Sequence, residues 1–318
     1  MNFWEKAQKV DRRVLYAILI FFVCGGLFFP ATIPVDPDPS SKSFYSEIKK
    51  LNPEKVVLIQ SDWTNSTRGE SMGHFENLMR LLMSQNIKFV FYSAADPVAP
   101  QVARTVITRI NKEREGQGLR VYKAGVDYLD LGYFPNAEAT NTNMGNNLRE
   151  AWKGRKARVD GREVDIFATP VLGNVKKIED AGMMIVVTAS ASIDVAIQRL
   201  AKRVPIMGLV TGVVGPGVLP FYQSGQLKGV AIGLKGVYDV EYMMANGINV
   251  KPGGEGKAKV EWDGNNGAEV PPVTEGKTLA RGQQYYGTLH VALVLLILAV
   301  VMGNVSMFMA RRRQGEEA

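Results

Sequence analysis

The sequence is poor in the side chains that most often carry enzyme chemistry. Its 318 residues contain one cysteine, Cys24, and two histidines, His74 and His290. One cysteine excludes an internal disulfide and a cysteine zinc site, and no H-E-x-x-H pattern can form around His74. Because His74 lies near a predicted helix start, we interpret it as a surface or capping residue. We predict no metal site and no cofactor.

Two further stretches of the sequence do not fit the motifs of a nucleotide-binding or nucleophile site. The glycine-rich stretch 253–259 lacks the spacing of a phosphate loop, and Ser190 and Ser192 lack the flanking glycines of a nucleophile elbow. The net charge is +7, but the two chain ends supply +3 of it, which leaves only +4 for the region between them. The charge therefore does not indicate a nucleic-acid partner.

A long apolar run is present near the C-terminus, over residues 287–310. Tyr285 and Tyr286 precede it and suit a membrane interface, while Arg311, Arg312 and Arg313 follow it and suit a cytoplasmic stop. At about 1.5 Å per residue, a helix of this length covers the ~30 Å hydrocarbon core of a bilayer. The run predicts a transmembrane helix; the alternative is a buried helix of a soluble protein.

A second apolar run lies near the N-terminus, over residues 14–35, after basic residues that include Arg12 and Arg13. It predicts another, uncleaved transmembrane helix. The alternatives are a cleaved signal peptide and lipidation at Cys24, but no small-x-small cleavage site follows and no small residue directly precedes the cysteine.

The basic residues beside both runs predict that both termini are cytoplasmic. Residues 1–13 and 311–318 would be short tails, and residues 36–286 would lie outside the cytoplasm. Within that region we expect a linker at 36–54, a folded domain at 55–248 and a second linker at 249–286. The predicted location is the inner membrane of a bacterium, with the main domain periplasmic.

Apolar runs and amphipathic segments alternate along the predicted domain. "EKVVLIQSDW", "IKFVFYSA", "AGMMIVVTAS" and "VPIMGLVTG" are typical of buried parallel strands. Between them, segments such as 71–86 and 100–116 carry apolar residues on one helical face. The pattern predicts an α/β fold with a mostly parallel sheet, of Rossmann-like or flavodoxin-like architecture.

Polar residues follow several of the predicted strands. In open α/β sheets, ligands bind at the carboxyl ends of strands, so these residues are the candidate ligand site. Strand ends that simply terminate in polar residues are the alternative. The candidates are Asp62, Trp63, Asn65, Ser93, Asp96, Asp127, Tyr128, Asp130, Ser190, Ser192 and Thr211.

Small residues suggest two places of close packing. Gly225, Gly229 and Gly233 are spaced four apart and predict a bare helix face, packed within the domain or against another subunit. Gly303, Asn304 and Ser306 form a small, polar patch on the C-terminal apolar run. A further segment, 149–162, holds six basic residues against two acidic ones. That segment indicates a solvated surface or contact with anionic head groups or an acidic partner.

Two stretches, "YKAGVDYLDLGYFPN" (122–136) and "LPFYQSGQLKGVAIGLKGVYDVEY" (219–242), resemble segments of uncharacterised bacterial membrane proteins with an α/β domain near hydrophobic termini. The resemblance implies the fold, the anchoring and a bacterial origin, and it implies no catalytic residue.

Together these features predict a non-enzymatic subunit of an inner-membrane complex, with an extracytoplasmic scaffold or docking domain. Expected partners are the lipid bilayer and other integral membrane proteins or copies of the chain itself. A tethered ligand-binding or sensing domain is the alternative, followed by a hydrolase built on Asp62, Asp96 and Asp127.

Overall fold

The structure is a computed structural model that describes residues 11–29, 36–251, 261–262, 268–270, 273 and 281–316. The chain divides into two compact units. One comprises Met1–Val35 with Ala280–Ala318, and the other comprises Asp36–Leu279. The second unit begins at Asp36, so it includes the segment 36–54 that we expected to be a linker.

The Asp36–Leu279 unit alternates strands and helices. Its helices are α2 (Pro39–Lys49), α3 (Arg68–Ser84), α4 (Ala99–Gly116), α5 (Ala137–Asn146), α6 (Leu148–Ala151), α7 (Ser192–Leu200), α8 (Gly215–Gln223) and α9 (Gly233–Asn246). Its strands are β1 (Val57–Asp62), β2 (Phe89–Ser93), β3 (Tyr128–Tyr133), β4 (Lys156–Val159), β5 (Arg162–Asp165), β6 (Met183–Thr188), β7 (Ile206–Val210), β8 (Leu227–Ile232), β9 (Ile248–Lys251), β10 (Glu261–Trp262) and β11 (Ala268–Val270).

Six of these strands form one parallel sheet in the order β3-β2-β1-β6-β7-β8. Counted within this sheet alone, the order is 3-2-1-4-5-6. That is the strand order of Rossmann-type domains, and it differs from the flavodoxin order 2-1-3-4-5. The prediction of a parallel α/β sheet is therefore confirmed, and the strand order favours the first of the two architectures. Strands β9 to β11 and the β4–β5 hairpin form separate small antiparallel sheets.

The sheet has a hydrophobic core on each face because successive strand residues point to opposite sides. In β1, Val57 and Ile59 pack into one core and Leu58 into the other. Helices α2, α3, α4 and α9 cover the first face, and α5 to α8 cover the second. The central strands β1 and β6 are buried along their whole length, which fits the apolar runs 56–59 and 183–187 of their sequences.

The glycine-rich segment after Pro220 does not form the predicted helix. Gly225 lies in the turn after α8, Gly229 lies inside β8, and Gly233 begins α9. Gly225 and Gly233 have φ values of +78° and +60°, which a non-glycine residue rarely adopts. A Cβ on Gly229 would lie 2.4 Å from the backbone nitrogen of Phe44. The three glycines thus have separate roles. Gly225 and Gly233 allow positive φ values at the two ends of β8, and Gly229 allows close contact between β8 and α2.

The other unit contains two apolar helices, α1 (Arg12–Phe28) and α10 (Arg281–Glu316). Among the described residues, only the stretch Arg281–Met309 is long and apolar enough to cross a membrane. The prediction of a second helix with this property is therefore not met. Helix α1 has 17 residues, or about 26 Å, and Phe29 is not helical. Phe29 precedes Pro30, and a residue before proline is disfavoured in the helical conformation. Residues 30–35 of the predicted first span lie outside the described residues.

Helices α1 and α10 pack against each other. A Cβ on Gly26 would lie 3.1 Å from Thr288 Oγ1, and Gln284 Nε2 donates a hydrogen bond to the Leu27 carbonyl at 3.2 Å. The glycine near Cys24 thus permits close contact between the end of α1 and the beginning of α10. On α10, Gly303 and Asn304 are exposed, whereas Ser306 is buried.

Candidate functional site

The carboxyl ends of β1 and β6 are adjacent in the sheet and define its topological switch point. From β1 the chain continues to β2 and β3 on one side, and from β6 it continues to β7 and β8 on the other. The two crossovers therefore leave in opposite directions, which opens a crevice outside these two strand ends. Asp62 ends β1 and Thr188 ends β6, and the two residues are paired in register.

The Asp62 carboxylate is buried and holds the neighbouring loop. Its Oδ1 accepts hydrogen bonds from Ser93 Oγ at 2.9 Å, from the Ala94 backbone at 2.8 Å and from the Ala95 backbone at 3.2 Å. Its Oδ2 accepts a hydrogen bond from Gln60 Nε2 at 2.5 Å. The three donors from Ser93, Ala94 and Ala95 fix the start of the loop that joins β2 to α4, and Gln60 on β1 holds the other carboxylate oxygen. Asp62 and Ser93 are therefore in direct contact at the carboxyl ends of β1 and β2, and their role in a ligand site stays a prediction.

Three hydroxyl groups converge after β6. Thr188 Oγ1 lies 3.1 Å from Ser190 Oγ and 3.0 Å from Ser192 Oγ, and it accepts a hydrogen bond from the Ser190 backbone at 3.1 Å. Thr188 is fully buried, Ser192 is half-buried and Ser190 is exposed. The cluster begins inside the sheet and ends at the surface of the crevice. Thr188 is not among the residues predicted from the sequence, although it directly follows the apolar residues of β6.

Carboxylates occupy the helix starts on both sides of the crevice. Glu70 lies in the first turn of α3 and accepts a hydrogen bond from the Gly212 backbone at 2.7 Å. Asp194 lies in the first turn of α7, and burial raises its pKa. A carboxylate at a helix N-terminus already complements the positive end of the helix dipole. These two helix starts therefore disfavour a phosphate group, in agreement with the missing glycine-rich motif.

The remaining candidates at this edge differ in exposure. Trp63 is buried with its ring centroid 5.7 Å from that of Phe75, so it belongs to the core. Asn65 is exposed at the start of a 3₁₀ turn, and Thr211 is buried after β7. Asp96 is half-buried, and its Oδ1 accepts a hydrogen bond from the Val98 backbone at 2.7 Å.

Asp127 and Tyr128 lie at the amino ends of the strands, opposite the crevice. Asp127 precedes β3, and Tyr128 is its first residue. The Asp127 carbonyl accepts a hydrogen bond from the backbone of Phe89, the first residue of β2. The Asp127 carboxylate pairs with Arg120 and accepts a hydrogen bond from the Lys123 backbone at 2.9 Å. Asp127 therefore lies away from Asp62 and Asp96, and the three carboxylates considered for a hydrolase do not form one site.

His74 is buried beneath the same edge as the crevice. It lies on α3, one turn after Glu70, and is 1% exposed, which corrects its interpretation as a surface residue. Burial lowers the pKa of His74 to about 4, an effect opposed by the nearby carbonyl groups of Val210 and Gly233. The ring is therefore neutral near pH 7. The burial of His74 could not be predicted from the sequence, because both polar and apolar residues flank it.

Within the described part of the chain, no three His, Cys, Asp or Glu side chains are grouped so as to hold a metal ion. The fold and the crevice define a class: a doubly wound α/β domain with Rossmann strand order, in a chain that also carries a long apolar helix. No protein-family model, curated protein or solved structure matches the chain.

Proposed function

We propose that this protein is a membrane-anchored subunit of a protein complex and that its α/β domain is a docking module. Helix α10 is the observation that carries this proposal. Its apolar stretch Arg281–Met309 has 29 residues, and of its most apolar window only 6% is buried. A core helix of a soluble protein would be mostly buried, whereas exposed apolar side chains along this length suit lipid or neighbouring helices.

Helix α1 would accompany α10 in the membrane. Its apolar side chains are also largely exposed, including Ile20, Phe21 and Phe22. Since α1 is shorter than the hydrocarbon core, local thinning of the bilayer would accommodate it. The contact of Gly26 with Thr288 supports a packed pair rather than two separate helices. Partners in the membrane would be other integral proteins or further copies of this chain.

The basic residues at both ends support a topology with cytoplasmic termini and an extracytoplasmic α/β domain in the inner membrane of a bacterium.

The docking role is supported by the hydrogen bonds that hold the residues around the crevice. Asp62, Thr188 and Glu70 all bond to neighbouring loops, which makes this edge rigid. A rigid edge suits recognition of a partner.

The topology can be tested by labelling single cysteines, because Cys24 is the only one to remove. In a Cys24→Ala background, Lys153→Cys places a thiol at an exposed position of the domain and Gln314→Cys places one in the C-terminal tail. A membrane-impermeant maleimide should label the first variant in intact spheroplasts and the second only after lysis. The opposite pattern would overturn the proposed orientation.

The subunit role can be tested by mild detergent extraction from native membranes, followed by sizing and mass spectrometry. A fixed stoichiometry of other membrane proteins, or a defined oligomer of this chain, is the expected result. A monomer of 35.0 kDa that stays alone under mild extraction would contradict it.

A second candidate function is the binding of a small uncharged ligand in the crevice. The exposed hydroxyl of Ser190, supported by Thr188 and Ser192, favours it, while Glu70 and Asp194 disfavour an anion. A polar metabolite that co-purifies with the wild-type chain and is lost from Ser190→Leu would support this function. An empty wild-type protein in native mass spectrometry would count against it.

A further inference from the structure

A cavity lies between the edge of the sheet and the β4–β5 hairpin, apart from the crevice. Strand β3 is the edge strand on one side of the sheet. The β4–β5 hairpin lies beside it but forms no sheet hydrogen bonds with it. The space between them measures about 460 Å³. This volume is in the range of small-ligand sites, which is roughly 300–1,000 Å³. Its polar lining consists of Arg104, Tyr128, Asp130, Lys156 and Arg158.

The hairpin is held in place by local backbone geometry. Asp160 and Gly161 form its two-residue turn with φ values of 48° and 80°, as expected for an Asp-Gly hairpin. At Gly125, which also lines the cavity, a Cβ would lie 2.6 Å from Val159. The close approach at Gly125 seats the end of β4 against the loop before β3. The cavity is therefore a defined gap between two strands.

The cavity carries an excess of positive charge with one cation unpaired. Arg104 forms an ion pair with Asp130, and Lys156 Nζ lies 3.4 Å from a carboxylate oxygen of Glu163. Among the described residues, Arg158 makes no ion pair and no side-chain hydrogen bond. Lys156 and Arg158 are two apart on β4, so they emerge on the same face of the hairpin. Arg158 thus borders the cavity without an ion pair, next to Lys156, which is paired with Glu163.

From this arrangement we propose that the cavity binds a phosphate group, carried either by a soluble metabolite or by a lipid head group. Arginine matches two phosphate oxygens with its planar fork, and lysine adds a compact point charge. Tyr128 and Gly132 of β3 also line the cavity. Of the six basic residues in the segment 149–162, Lys156 and Arg158 line this site. It does not depend on the docking role.

The first test measures binding of inorganic phosphate to the detergent-solubilised full chain by isothermal titration calorimetry. Arg158→Gln should weaken binding by on the order of tenfold, since it removes a charge-assisted hydrogen bond. Arg162→Gln is the matched control, because Arg162 is an exposed arginine of the same hairpin that does not line the cavity. It makes the same change in net charge and should leave binding unchanged. Equal losses in the two variants would show unspecific attraction and overturn the proposal.

A second variant, Asp130→Asn, should raise the affinity for phosphate. Asp130→Asn removes a negative charge from the cavity and releases Arg104, so phosphate should bind several-fold more tightly. Unchanged or weaker binding in a folded Asp130→Asn protein would contradict the site.

The source of the phosphate is distinguished by flotation of the chain in nanodiscs with vesicles of phosphatidylcholine containing phosphatidylglycerol. Binding to these vesicles that is lost in Arg158→Gln, with no response to inorganic phosphate, identifies a lipid head group. Binding of inorganic phosphate without vesicle binding identifies a soluble ligand. If neither probe binds the wild-type chain, the proposal is wrong.

Discussion

At the scale of single residues, the carboxylates that looked most like catalytic groups serve the fold. Asp62 binds three donors of the β2–α4 loop, and Asp127 binds Arg120 and the Lys123 backbone at the far edge. The sequence places a carboxylate at a strand end, but it does not show which donors surround it. Those donors come from parts of the chain about thirty residues away.

Replacing Asp62 with alanine should lower the free energy of unfolding by about 3 kcal/mol, because a hydroxyl and two backbone N–H groups lose their acceptor in a buried place. Ser93→Ala removes only one of these donors and should cost about 1 kcal/mol. Urea unfolding followed by the fluorescence of the buried Trp63 and Trp152 measures both values. Equal stability of Asp62→Ala and wild type would show that the carboxylate does not hold the loop.

His74 should make the domain less stable in acid. Its pKa is about 4 in the folded protein and 6.5 when unperturbed, so between these values the unfolded chain takes up the proton first. Stability is therefore complete above pH 6.5 and is lost as the pH falls towards 4. At pH 5 the loss from this group is about 2 kcal/mol.

The matched variant is His74→Gln, which keeps a polar side chain that does not titrate. The difference in unfolding free energy between wild type and variant should shift by about 2 kcal/mol in the variant's favour from pH 7.5 to pH 5. The comparison is needed because other groups titrate too. Asp239, whose pKa is raised by burial against the opposing effect of Lys235, acts in the opposite direction. A constant difference would contradict the buried, neutral histidine.

At the scale of elements, the long amphipathic helices could be predicted, and the element around Gly229 could not. Met72, Phe75 and Leu78 mark the buried face of α3 through their period, and the structure buries all three. Strand β8 contains two small residues, Gly229 and Ala231, so the alternation of apolar and polar side chains along it is weak. The spacing of its glycines predicted a helix instead. The position of Gly229 against the backbone of α2 is a long-range contact that no local pattern contains.

Gly229→Ala should destabilise the domain by about 2–3 kcal/mol, since the new methyl group meets the backbone of Phe44, which cannot rotate away as a side chain would. Gly217→Ala, near the start of α8, is the control, because no atom lies within 4 Å of the added Cβ. It should be neutral or slightly stabilising. Thermal unfolding of both variants tests this, and equal midpoints would show that α2 shifts without cost.

At the scale of the whole molecule, the proposed anchoring depends on α10 as a continuous apolar helix. Leu296→Arg places a charge near the middle of Arg281–Met309, which opposes membrane insertion by about 3 kcal/mol. The variant should become partly extractable by alkaline carbonate, whereas wild type should stay in the membrane pellet. Leu219→Arg, the same change at an exposed leucine of α8, should stay in the pellet. Extraction of both variants alike would assign the effect to something other than α10.

The sequence by itself determined the alternation of strands and helices, the buried central strands and the apolar C-terminal helix. Each of these features follows from the local spacing of apolar residues or from an apolar run. It could not fix the strand order or the partners of Asp62 and His74. These depend on which crossover direction each helix takes and on contacts between residues far apart in the chain. The cavity beside β3 belongs to the same group: the basic segment was visible, but only the folded hairpin places Lys156 and Arg158 beside the edge of the sheet.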